Sequence, residues 1–156
     1  MIFEDKAMDD FISTPLFTIF SIVVIAESLK TLFLGTVGAF KRGQKLIFIN
    51  QEDANWLGGK TVSHDLADPS ARICRAHRNN LENLIPFFIL GFLYLLIGAH
   101  SYAGIAYFLL FFIGRIGHTY AYLNARPMLR RNMYSLAWLS MIAIAVHTLI
   151  VLLSRL

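Results

Sequence analysis

Cysteine and charge are both scarce in this chain. Cys74 is the only cysteine among 156 residues, which excludes an intrachain disulfide and a cysteine-rich metal site. Charged residues make up 15% of the chain, hydrophobic residues make up 56%, and the mean hydropathy is +0.58. A soluble domain of this length needs more polar surface. The composition therefore indicates a single integral membrane domain over residues 1–156.

Other familiar signals are missing too. The formal charge of +4 is modest, and no basic tract carries interleaved aromatic residues, so nucleic acid is not an expected partner. The N-terminus is acidic and no small-residue cleavage site closes a short apolar core, so no removable signal peptide is predicted. The alternating pattern of a membrane β-barrel is also lacking.

Four apolar segments are present, and each approaches the ~20 residues that a helix needs to cross a hydrocarbon core. They predict an all-α, four-helix membrane bundle with helices at about 11–40, 69–97, 102–123 and 127–153. Ser13 or Thr14 is expected to cap the first helix, and Asp68 the second, just before Pro69. Pro86 predicts a kink in the second helix.

The three connections differ in charge. The first (41–67) and the third, with Arg126, Arg130 and Arg131, are rich in Lys and Arg, whereas the second (98–104) has neither. The positive-inside rule therefore predicts cytoplasmic first and third connections and four crossings. This topology brings polar residues from all four helices to the cytoplasmic end.

A charged stripe opens the second helix. Arg75, Arg78, Asn79 and Glu82 follow the i, i+3, i+4, i+7 spacing that places them on one helical face. Burying such a face is costly unless its charges are paired or functional. Guanidinium groups bind carboxylates bidentately, so several arginines with few acids favour an anionic ligand. The topology adds Arg42, Arg115, His118, Tyr122 and Arg130 to this end.

Simpler interpretations compete with a binding site. Cations near helix ends, such as Lys41, often only extend to lipid headgroups. Arg78 and Glu82 are four residues apart and are equally consistent with a structural pair. Glu27 and Lys30, three apart in the first helix, are expected to neutralise each other.

Three blocks in order resemble the MAPEG family, membrane-associated proteins in eicosanoid and glutathione metabolism. The run Arg75-Ala76-His77-Arg78-Asn79-Asn80-Leu81-Glu82-Asn83 is close to that family's second-helix signature. Phe40–Asp53 resembles the end of its first helix and the following loop, and Gly114–Leu123 resembles its third-helix block. The resemblance covers about Arg42–Tyr134 and is closest to the glutathione transferase and prostaglandin E synthase branch.

The resemblance implies a homotrimer that binds glutathione as co-substrate between subunits near the cytoplasmic face. It implies a transferase that joins the glutathione thiolate to a lipophilic electrophile, or a peroxidase that reduces lipid hydroperoxides, in a bacterial inner membrane or the endoplasmic reticulum. Arg130 is implied to stabilise the thiolate, Tyr134 to donate to the same sulfur, and Asp53 to act as a catalytic acid. The implied glutathione-binding residues are Arg42, Arg75, Arg78, Asn79, Glu82, His118, Tyr122, Arg130 and Tyr134.

Departures from the family pattern leave alternatives open. Arg131 stands where the synthase branch has a serine, and Gln51 stands where a proline is common. The alternatives are a prostaglandin E synthase-like isomerase, a non-catalytic lipid-binding adaptor of the same family, and a bis-histidine haem protein. The haem alternative would use His77, His100, His118 and His147.

Overall fold

Long helices make up most of the chain, which confirms the expected all-α fold. A computed structural model describes residues 8–61 and 69–156, and both the proposed cap Asp68 and the acidic N-terminal tail before residue 8 lie outside them. Residues 8–12 are helical and precede the first long helix. The further elements are α1 (Pro15–Gln44), β1 (Ile47–Phe48), α2 (Gln51–Leu57), β2 (Lys60–Thr61), α3 (Pro69–Leu96), α4 (Ser101–Leu123) and α5 (Pro127–Leu153).

Helix α1 is shifted by four residues from its expected bounds. It begins at Pro15 rather than near Phe11 because the Thr14 hydroxyl accepts a hydrogen bond from the Phe17 backbone N–H at 3.2 Å. This contact caps the helix, and Pro15 suits its first turn. Its last turn extends past residue 40 and contains Lys41 and Arg42. Cations there are favourable because they interact with the negative end of the helix dipole. The other three long helices lie within one residue of their expected bounds.

Among residues 8–61 and 69–156, three helical segments are long and apolar enough to cross a membrane, namely α1, residues 71–96 of α3, and α5. Helix α4 has 23 residues, which corresponds to about 34 Å, and it packs closely along α5. A fourth crossing by α4 stays a prediction. Helix α3 continues on both sides of Pro86, so that proline does not end the helix.

The polar connection between α1 and α3 contains structure that the sequence did not predict. Strands β1 and β2 pair in parallel, with Ile47 opposite Lys60 and Phe48 opposite Thr61. Helix α2 lies between them and ends at Gly58, whose φ of 71° suits glycine. Within the described residues, this unit packs on the bundle through β1 against α1.

An aromatic core holds the long helices together. Phe20 of α1, Phe87 of α3, and Phe108 and Phe111 of α4 are buried in it, and the rings of Phe87 and Phe111 are stacked. Helices α4 and α5 approach closely at Gly114, where an added Cβ would lie 2.8 Å from the Ala137 backbone nitrogen. The core therefore fixes how the polar ends of the helices face one another.

Candidate functional site

Polar side chains from all four long helices meet at one end of the bundle. The end of α1 contacts the start of α3, which contacts the end of α4, which in turn contacts the start of α5. This arrangement agrees with the predicted gathering of polar residues. The contacts are Arg42 with Cys74, Asn79 with Arg115, and Arg130 with Tyr122.

The arginine stripe on α3 faces outwards in the single chain. Arg78 Nε donates to Glu82 Oε1 at 3.1 Å, so the predicted pair does form. The side chains of Arg78 and Glu82 are 80% and 56% exposed, respectively. Exposed pairs at this spacing contribute only about 0.3–0.5 kcal/mol to the free energy of unfolding. The Arg78–Glu82 pair by itself therefore adds little to the stability of the fold. The exposed charges remain accessible to a ligand or a neighbouring subunit.

A cationic cleft of about 420 Å³ lies beside the stripe, between α1 and α3. His77 forms part of its wall, and its Nδ1 lies 3.0 Å from the Thr31 backbone carbonyl. A carbonyl can only accept, so Nδ1 carries the proton and His77 ties α3 to α1. The polar residues that line the cleft are Arg42, Cys74, Arg75, His77 and Arg78.

A second cluster joins α4 to α5. The guanidinium of Arg130 lies over the Tyr122 ring, 4.8 Å from its centroid. The His118 ring lies 5.6 Å from that of Tyr122 and 6.0 Å from that of Tyr134. Arg131 is not part of this cluster, since its guanidinium contacts Met128 Sδ at 3.9 Å. The structure thus separates the two adjacent arginines, and only Arg130 faces the aromatic groups.

Arg115 is a site residue that the sequence interpretation did not assign. It is fully buried, and its Nη1 and Nη2 both lie 3.3 Å from Asn79 Oδ1. It also donates to the Asn79 backbone carbonyl at 3.1 Å and to Asn80 Oδ1 at 2.9 Å. The signal in the sequence was the placement of Arg115 at the same end of the bundle as the adjacent Asn79 and Asn80. Asn79 is therefore held from inside the bundle.

Asp53 lies apart from the Arg130 cluster within one chain. It is on helix α2, and its Oδ2 accepts a hydrogen bond from Asn50 Nδ2 at 3.1 Å. Among the described residues, α2 packs only against β1 and β2. A role for Asp53 beside Arg130 therefore needs a second subunit and stays a proposal.

His100 and His147 make contacts that favour structural roles. His147 Nδ1 lies 3.3 Å from the Tyr94 hydroxyl, which also donates to the His100 carbonyl at 2.9 Å. These contacts join α3, α5 and the turn between α3 and α4, away from His118. His77 contacts α1 and His118 contacts Tyr122, whereas His100 and His147 lie together with Tyr94 at the other end of the long helices. The haem alternative stays a prediction.

The fold and the site together define a class of protein: a helical membrane bundle that carries arginines and aromatic residues at one polar end. The MAPEG family model matches residues 16–150, so the chain belongs to the MAPEG family.

Curated relatives extend the comparison. The chain is 39% identical to human prostaglandin E synthase over 110 residues, which is 69% of this chain and 71% of the relative. It is 35% identical to rat microsomal glutathione S-transferase 1 over 120 residues, or 75% of this chain and 76% of the relative. Against the bovine protein of the same name it is 41% identical over 102 residues, covering 64% and 66%.

Proposed function

We propose that this protein is a membrane-bound glutathione transferase. The main support is the cluster in which Arg130 lies over Tyr122, close to His118 and Tyr134, in a chain similar to microsomal glutathione S-transferase 1. Glutathione carries two carboxylates and one ammonium, so it complements the arginine stripe and Glu82. It would bind as a co-substrate at this polar end.

The proposed chemistry is electrostatic activation of the glutathione sulfur. The thiolate is the nucleophile, and a nearby cation lowers the pKa of a thiol, which is the role we assign to Arg130. Tyr134, one turn further along α5, would donate a hydrogen bond to the sulfur. The thiolate then attacks an electrophilic carbon and displaces its leaving group. Binding both reactants side by side adds the advantage of proximity.

Lipid hydroperoxides are a second class of acceptor for the same thiolate. Two glutathione molecules would be oxidised to the disulfide while the hydroperoxide is reduced to an alcohol and water. Apolar side chains are exposed along the outer faces of α1, α3 and α5, as expected of helices in contact with lipid. A lipophilic substrate would therefore enter from the bilayer.

A homotrimer would complete the site. The outward-facing stripe of Arg78 and Glu82 and the distant position of Asp53 are both consistent with a site shared between subunits. In the orientation we propose, all four long helices cross the membrane and the site faces the cytoplasm. The membrane would be a bacterial inner membrane or the endoplasmic reticulum.

The test is turnover of glutathione with a chloronitrobenzene substrate by protein purified in detergent. We expect a rate above the uncatalysed blank and saturable glutathione binding by calorimetry. Arg78→Ala should weaken that binding, whereas Arg131→Ala, on an exposed side chain outside the aromatic cluster, should not. Turnover equal to the blank would reject the transferase proposal.

An isomerase is the second candidate, because the chain is also similar to prostaglandin E synthase. The same purified protein should then convert a prostaglandin endoperoxide in the presence of glutathione. Binding of glutathione without turnover of the electrophile, hydroperoxide or endoperoxide would instead favour the non-catalytic adaptor. Turnover of an electrophile or hydroperoxide would therefore support the transferase or peroxidase, and turnover of an endoperoxide would support the isomerase. Binding without any turnover would support the adaptor.

A further inference from the structure

A buried ionic network lies inside the bundle behind Asn79. Glu27 of α1 is fully buried, and its Oε2 lies 2.6 Å from the ammonium of Lys30, which is itself only 12% exposed. Arg115 of α4 is also fully buried. Charged side chains at such positions are costly to bury, so their presence points to a function. The network comprises Glu27, Lys30, Thr31, Asn80 and Arg115.

Asn80 connects the acid of α1 to the arginine of α4. Its Nδ2 donates to Thr31 Oγ1 at 2.7 Å and lies 3.5 Å from Glu27 Oε2. Both acceptors belong to α1, so they determine which way the amide faces. Asn80 Oδ1 is thereby turned towards Arg115, whose Nε and Nη2 lie 3.2 and 2.9 Å away.

Arg115 in turn orients Asn79. Two of its nitrogens approach Asn79 Oδ1, so the acceptor end of that amide is occupied. Within the described ranges, the donor end, Nδ2, makes no hydrogen bond and is available to another partner. An amide presented in this way offers N–H groups to a carboxylate and rejects a cation.

The charges of the network do not balance. Glu27 carries one negative charge, whereas Lys30 and Arg115 carry two positive charges, so the sum is +1. Uncompensated charge is expensive inside a bundle. An anion bound at Asn79 would offset the excess.

We infer that Glu27, Asn80 and Arg115 are positioning residues that set the Asn79 amide to receive a carboxylate of glutathione. This inference rests on the proposed function, and it assigns Glu27 a purpose beyond neutralising Lys30. Glu27 touches no substrate. It acts through Asn80 and Arg115, by helping to fix the direction of the Asn80 amide on which Arg115 is held.

The first test replaces the acid by its neutral isostere. In Glu27→Gln, the Asn80 amide loses the charged one of its two acceptors on α1, and the new amide can donate to Asn80 Oδ1 in competition with Arg115, so the direction of the Asn80 amide is less firmly fixed. We expect the KM for glutathione to rise about tenfold, equivalent to about 1.4 kcal/mol, with kcat changed less than twofold. Wild type should also prefer glutathione over its diethyl ester, and Glu27→Gln should lose most of that preference. Asp10→Asn, an exposed carboxylate outside the network, is the matched control.

The second test moves the acid from α1 to α3. In Glu27→Gln/Asn80→Asp, the new carboxylate lies against Arg115 and can accept from Thr31 Oγ1, so the total charge is again +1. We expect the double variant to recover most of the glutathione affinity and of the preference over the ester. A merely structural role would not predict recovery of ligand discrimination.

The outcomes separate this inference from the proposed function. If wild type binds glutathione and Glu27→Gln has the same KM and the same ester preference, the positioning role is wrong, whatever happens to thermal stability. If wild type binds no glutathione, the proposed function itself fails. If Glu27→Gln does not fold, the double variant decides, since an affinity tenfold below wild type would overturn the inference.

Discussion

The two halves of the candidate site differ in how far one chain completes them. At the α3–α4 contact, the buried Arg115 donates to both Asn79 and Asn80. At the α4–α5 contact, Arg130 is exposed and lies over the Tyr122 ring. Among residues 8–61 and 69–156, the structure shows no carboxylate paired with Arg130. The half that we propose to bind glutathione is therefore held by contacts within one chain, whereas the half that we propose to be reactive has an exposed cation.

Arg115→Ala gives the largest expected effect, because it breaks the half that is held by contacts within one chain. Removing the guanidinium leaves the acceptor atoms of Asn79 and Asn80 without their donor, which costs about 1–3 kcal/mol for each buried group left unsatisfied. We expect a large fall in the thermal unfolding temperature measured in detergent. Arg131→Ala should leave that temperature unchanged. An Arg115→Ala protein as stable as wild type would show that the two halves do not differ in this way.

Arg130→Ala tests the reactive half and should affect chemistry rather than folding. We expect kcat for the electrophile to fall about 100-fold, equivalent to about 2.7 kcal/mol, because the thiolate loses its cation. The unfolding temperature should stay near the wild-type value, since Arg130 is exposed. Arg131→Ala should lower kcat less than twofold. Equal losses for the two variants would contradict the role given to Arg130.

Tyr122→Leu sharpens the comparison by removing the ring beneath Arg130. A cation–π contact contributes about 0.5–2 kcal/mol, so we expect kcat to fall roughly fivefold as the guanidinium loses its position. Tyr122→Phe keeps the ring and should retain most of kcat. Steady-state kinetics of both variants measure the difference. Similar losses in both would assign the effect to the hydroxyl instead.

Glu82→Gln has the smallest expected effect on stability. Its exposed pair with Arg78 contributes only about 0.3–0.5 kcal/mol, so the unfolding temperature should barely change. Glutathione binding by calorimetry should still weaken severalfold, because the carboxylate complements the ligand's ammonium. A clear loss of stability with unchanged binding would instead support the structural-pair interpretation.

Much of the architecture could be predicted because it depends on local rules. The apolar lengths and Pro127 predicted the bounds of α5, and Thr14 was one of the two expected caps of α1. The start of α1 was still placed too early, because the apolar segment begins at Phe11, ahead of that cap. Helical spacing correctly placed Arg78 and Glu82 on one face. The short strands β1 and β2 have two residues each, too few for a recognisable alternating pattern.

The sequence by itself determined the helical membrane class, the family and the residue types at the polar end, because composition, helical spacing and ordered motifs are properties of the chain. Only the tertiary structure decided which residues share a contact. It separated Arg130 from Arg131 and left Asp53 away from both. It also joined Glu27 to Arg115 through Asn80, across 53 and 35 positions of sequence. Such contacts depend on how whole helices rotate and pack, which no local pattern specifies.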